Sequence, residues 1–140
     1  MKIYIAAAFS QKDEVKQKAE ELEALGHECT SRWRFQPPTG AGDGTDPLQK
    51  ETYIKYAKED LEDIRRANLT VILTDKPSTT GGKHVELGYC LGQSKRVATV
   101  GEKRENIFQW LTPEHYETWE EFISHLTADQ DDPVLNWSRK

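Results

Sequence analysis

The chain has 140 residues, of which 36% are hydrophobic and 31% charged, the balance of one polar-surfaced globular domain rather than a disordered segment. Its net charge of −5, from 19 basic and 24 acidic side chains, argues against a nucleic-acid polymer as partner, since a phosphate backbone wants a basic face. No apolar run nears the roughly 18 residues that cross a bilayer, and no basic-then-apolar leader opens the sequence, so neither membrane insertion nor secretion is expected.

Residues 2–8, with Ile3, Tyr4 and Ile5, make a short apolar run that reads as a buried strand. Ser10, with Asp13 three residues on, reads as the cap of a helix that lines up Val15, Ala19, Leu22 and Leu25 and stops at Gly26. Residues 27–33 alternate loosely enough for a second strand. Cys29 in this strand and Cys90 have no Cys or His at metal-ligand spacing; they read as reduced thiols, which predicts a cytoplasmic protein with no bound metal. Residues 36–47 are rich in Gly and Pro, a long loop of the kind that in small domains is functional or disordered.

Residues 51–67 read as a helix with Ile54, Tyr56, Ala57, Leu61 and Ile64 as its apolar stripe. Residues 69–73 are a β-branched run without alternation, which suits a strand covered on both faces. A turn-rich loop over 76–82 leads to a helix over 83–93 and a strand over 96–100. Residues 105–111 and 116–126 read as helical, with room for a short extended stretch between them. Residues 1–127 are taken as one domain and 128–140 as a tail, acidic first and ending in Trp137-Ser138-Arg139-Lys140. Strands alternating with helices predict an α/β fold, a flavodoxin-like three-layer sandwich on a parallel sheet of four or five strands. In such sheets the ligand lies beyond the carboxyl ends of the strands, which gathers the loops 6–10, 34–47 and 75–82.

The most informative stretch runs from Thr80 through Gly81, Gly82 and Lys83 to Glu86, Leu87, Gly88 and Tyr89. Two glycines at a strand-to-helix turn let a ligand approach the backbone and the N–H groups of a helix start. Glu86, one turn in, is equally an acid placed to suit the helix dipole. Asp60 lies in the acidic run Glu59-Asp60-Leu61-Glu62-Asp63, which reads just as readily as a solvated helix face. If Asp60 and Glu86 face each other, they form the carboxylate pair of glycosyl transfer. One attacks the anomeric carbon and the other manages the proton.

The order and spacing of Lys2-Ile3-Tyr4-Ile5, then Glu59-Asp60-Leu61 before a β-branched strand, then Gly81-Gly82 and Glu86-Leu87-Gly88-Tyr89 resemble the nucleoside 2-deoxyribosyltransferase family. That family also contains N-hydrolases of nucleoside 5'-monophosphates, and the resemblance runs to about Trp110. It implies a Rossmann-like fold, no cofactor, and Glu86 as nucleophile. It also implies Asp60 as the sugar-binding, proton-handling carboxylate, Tyr4 as the phenol that orients Glu86, and Phe9 as an aromatic against the base. The chemistry is consistent: an oxocarbenium-like transition state is stabilised by a nearby negative charge, and a donated hydrogen bond keeps Glu86 ionised. Without the resemblance, Tyr4 is equally a core aromatic.

Two positions pull in different directions on the acceptor. Thr80 falls where the family's transferases carry a carboxylate and its hydrolases a small hydroxyl residue that suits a phosphate beside Gly81 and Gly82. Asn106, in Glu105-Asn106-Ile107-Phe108-Gln109-Trp110, resembles the transferases' asparagine that reaches a neighbouring subunit's 5'-hydroxyl. That implies a homo-oligomer, a dimer or larger. Arg32, Trp33, Arg34 and Phe35 offer a stacking plane and phosphate charge, with Trp33 as readily core. Ser10 could touch a phosphate or only cap its helix; His84 reads as an exposed helix histidine, and His27 and His115 are assigned nothing. The leading expectation is cleavage of the N-glycosidic bond of a 2'-deoxynucleoside or nucleotide with transfer to a second base. Hydrolysis of a 5'-monophosphate and a non-catalytic nucleotide-binding or signalling module on the same fold are the alternatives.

Overall fold

The computed structural model describes residues 1–37, 46–78 and 80–131. Its strands are β1 (Lys2–Ala6), β2 (Glu28–Cys29), β3 (Leu69–Leu73), β4 (Val97–Val100) and β5 (Glu114–Tyr116). They form one parallel five-stranded sheet in the order β2-β1-β3-β4-β5, the flavodoxin-like arrangement. Helices α1 (Lys12–Ala24), α2 (Lys50–Arg66), α3 (Gly82–Gly92) and α4 (Trp119–Asp131) supply the outer layers. On one face α4 meets α1, where the Trp119 Nε1–H donates to Glu21 at 2.7 Å; on the other α2 packs on α3. The expected three-layer α/β fold is therefore present, with five strands.

The two central strands carry the core. Ile3 to Ala6 pair with Leu69 to Ile72, and every residue of β3 is buried. Each fully buried Ile or Leu contributes roughly 1.5–3 kcal/mol relative to leaving it exposed, so this pair is the rigid base from which the loops at the carboxyl edge project. Among the described residues no helix is long and apolar enough to cross a membrane.

Several elements differ from expectation, each for a physical reason. Ser10 does not cap α1. It is exposed within a 3-10 turn, Phe9–Gln11, and the buried Gln11 reaches back instead, accepting from the Ala8 N–H at 3.1 Å. The second strand is only two residues long. Ser31 continues its work with a side chain, its hydroxyl accepting from the Ile5 N–H at 2.6 Å and facing the Ile5 carbonyl at 3.2 Å. Asp63 then draws the chain toward α2 by accepting from the Arg32 N–H at 3.0 Å, and residues Arg32–Phe35 form a 3-10 turn.

The expected stripe of α2 meets the core only in part, through Ile64 and less fully through Tyr56 and Leu61. Ile54 is 40% exposed and Ala57 is exposed, whereas Asp63 and Ile64 are fully buried and Tyr53, Tyr56 and Asp60 are half-buried. Of the expected helix over 116–126, Tyr116 instead ends β5, opposite Val100. α4 starts after Thr118, whose hydroxyl accepts from the Glu121 N–H at 3.1 Å while Glu121 accepts from the Glu117 N–H at 3.1 Å, a reciprocal cap. α4 also runs through the expected boundary at 127/128 as far as Asp131. Most of the Gly/Pro stretch (38–45) and the last nine residues of the tail (132–140) lie outside the described residues.

Candidate active site

Gly81 adopts φ +81°, a left-handed conformation that glycine takes without steric cost, and this turn starts α3 over the carboxyl end of β3. Its N–H donates to the Ser78 hydroxyl at 3.1 Å. Lys83 then pins the first turn of α3. Its buried ammonium donates to the Leu73 carbonyl at 3.1 Å and the Lys76 carbonyl at 2.8 Å, and pairs with Glu105 at 2.6 Å. With α3 so fixed, Glu86 faces β1, and the fully buried Tyr4 donates its hydroxyl hydrogen bond to Glu86 Oε2.

Asp60 approaches from α2. The Gln36 amide donates to its Oδ1 at 3.4 Å, and Gln36 is held in turn through its carbonyl by the Lys12 ammonium. The other end of the Arg32–Phe35 turn is fastened to the same helix by Asp63, which accepts the Arg32 Nε–H at 2.8 Å and lies 3.7 Å from Arg66. A buried carboxylate is tolerated there because a guanidinium and a backbone N–H satisfy it.

The electrostatics join these groups into one unit. Burial pushes the Glu86 carboxyl up to about 8; the Tyr4 hydrogen bond opposes the rise and the Asp60 charge adds to it. Burial likewise pushes Asp60 up to about 7, opposed by the Gln36 amide and by Arg32, and reinforced by Asp63 and Glu59. The Tyr4 phenol is raised by burial and then by Glu86 and Asp60, so it remains a proton donor. Two desolvated acids beside a neutral phenol can hold a single proton between them near neutral pH, with Glu86, the higher of the two, its favoured holder. Among the described residues no three His, Cys, Asp or Glu gather as a metal site.

The other expected residues surround this centre unevenly. Phe9 is half exposed, with its ring 6.2 Å from Trp33 and the Lys12 ammonium above it. Trp33 is buried and its Nε1–H donates to the Ile5 carbonyl at 2.8 Å. Ser10 and Thr80 are exposed, and Gly81 and Gly82 form the start of α3. Asn106 is engaged inside its own chain. Its Oδ1 accepts from the N–H groups of Phe108 at 2.9 Å and Gln109 at 3.2 Å, and its Nδ2 lies 3.1 Å from His84 Nδ1. Sequence reasoning missed Gln36, Asp63 and Lys83; only Lys83, directly after the two glycines, carried a positional signal. A cavity of about 510 Å³ opens on the α1/α4 face, among Lys18, Thr74, Gly101 and Trp119, and includes neither Asp60 nor Glu86.

No protein-family model matches the chain, and no curated protein matches it. Solved structures share its fold. One is a 2-deoxyribosyltransferase from Bacillus psychrosaccharolyticus, 24% identical over 87% of this chain and 90% of that one, with a TM-score of 0.65. Another is a CMP N-glycosidase from Clostridium botulinum, 18% identical over 91% of this chain and 99% of that one, with a TM-score of 0.55.

Proposed function

We propose that the chain is an enzyme of the nucleoside 2-deoxyribosyltransferase type, cleaving the N-glycosidic bond of a 2'-deoxynucleoside or its 5'-monophosphate. The observation that carries this reading is the Tyr4–Glu86 hydrogen bond with Asp60 acting on both groups. The ionised Glu86 attacks C1', the C1'–N bond breaks, and the base leaves with a proton from Asp60. The sugar stays as an ester of Glu86. A second base or water, losing its proton to the now ionised Asp60, then attacks C1', breaks the ester bond and frees the Glu86 carboxylate, with net retention. Tyr4 holds Glu86 in place, Phe9 offers its exposed face to the base beside Trp33, and Ser10, Thr80, Gly81 and Gly82 line the approach to the 5' end.

Transfer to a second base is the first reading. Hydrolysis of a 5'-monophosphate is the second, favoured by Thr80 beside the two glycines, where a hydroxyl at the start of α3 suits a dianion. Incubation with the four common deoxynucleosides, alone or with a second free base, and with their 5'-monophosphates separates the two by chromatography. A new nucleoside indicates transfer, and free base with sugar phosphate indicates hydrolysis. If every substrate survives, the glycosidic reading is wrong and a binding or signalling module takes its place.

The buried free thiols of Cys29 and Cys90 fit a cytoplasmic protein. Ile107, Phe108, Trp110 and Leu111 stand exposed side by side in the turn after Asn106, and a homo-oligomer covers them. Light scattering is expected to give at least the dimer mass; a monomer would remove this part of the reading.

A further inference from the structure

The inward face of α2 holds one polar group that the scheme above leaves unused. The Tyr53 hydroxyl is buried and has no hydrogen-bond partner among the described residues. Buried polar groups are almost always paired, and an unpaired one costs folding free energy. Tyr53 precedes Asp60 by seven residues, two helical turns, so it shares the Asp60 face at about 10.5 Å along the axis. Because α2 runs toward the amino end of β3, its first turns stand at the carboxyl edge of the sheet and Tyr53 lies outward of Asp60. A base carried on a sugar whose C1' is at the carboxylates would extend toward it.

We propose that Tyr53 reads the base, its hydroxyl forming a hydrogen bond with the polar edge of the heterocycle when C1' lies between Glu86 and Asp60. This rests on the glycosidic reading. A phenol both donates and accepts, and a buried hydroxyl left without its partner disfavours bases that cannot supply one. Tyr53 is then a specificity-determining contact, separate from the groups that break the bond.

The test is Tyr53→Phe, which removes one oxygen and keeps the ring. KM for the best of the four deoxynucleosides and their 5'-monophosphates should rise roughly tenfold, the worth of one hydrogen bond. The preference among bases should flatten, while the thermal midpoint stays level or rises. Binding of that substrate to Glu86→Gln should weaken by the same factor when Tyr53→Phe is added, a readout free of turnover. If the wild type turns over and Tyr53→Phe keeps its KM and its preference, the assignment is overturned while the glycosidic reading stands. A lowered midpoint with unchanged preference also overturns it, since the hydroxyl is then structural. If the wild type neither cleaves nor binds any member of the panel, both fall together.

Discussion

Replacing Glu86 with glutamine should end base release, lowering kcat/KM by roughly 10⁴-fold or more, as expected for loss of a nucleophile. Glutamine is chosen because its Oε1 still accepts from the Tyr4 hydroxyl, whereas alanine leaves that fully buried phenol unpaired at a cost of about 1–3 kcal/mol. Glu86→Ala should also be inactive, at lower stability. The fold of Glu86→Gln should gain rather than lose at alkaline pH. Glu86 is raised to about 8 in the folded chain, so its contribution to stability is full below the ordinary carboxylate range and is lost as pH rises through about 8. Thermal unfolding at pH 6 and 9 should therefore show a smaller decline for Glu86→Gln than for the wild type. Full turnover by either variant would remove Glu86 from the reaction.

Asp60→Asn is expected to lower kcat/KM by roughly 10²–10⁴-fold, the range for a general acid, and to change the shape of its pH dependence. Burial lifts Asp60 to about 7 and Glu86 to about 8, so between these values one proton is held mostly by Glu86, and the reactive arrangement, with that proton on Asp60, is a minor form of the same state. Below them both acids hold protons and Glu86 is a poor nucleophile. Above them both are ionised and the leaving base has no donor. The wild type should accordingly show a bell with its maximum between the two values. Asp60→Asn keeps a single limb, rising with pH as Glu86 ionises and shifted to lower pH because the repelling charge of Asp60 is gone. A full bell in the variant would assign the proton to another group.

The parts of this molecule legible from the sequence are those set by local pattern. The unbroken Leu69–Leu73 run became the fully buried β3, and Gly26 ended α1 with φ +93°. The two glycines before Glu86 marked the turn that aims α3. What stayed hidden depends on partners distant in the chain. The periodicity of α2 separates an apolar from a polar stripe, but it is chiefly the Arg32 guanidinium and the Arg32 N–H, 31 residues away, with Arg66 adding its charge, that make it tolerable to bury Asp63. That contact turns Asp60 inward with it. Gln36 precedes two prolines without any motif, and its value arises from its amide reaching Asp60. Likewise, nothing local distinguishes Ser31 as the side chain that ends a strand early.

The inward polar row of α2 also has a consequence for protein engineering. Leucine or phenylalanine at Asp60 or Tyr53 would relieve an ill-solvated acid or an unpaired hydroxyl, so each is a cheap route to a higher melting temperature. A library sorted on heat resistance alone would drift toward these replacements and return robust proteins slowed at Asp60 or with a blunted choice of base at Tyr53. Selecting for survival and for chemistry in alternate rounds is what would keep the helix as it is.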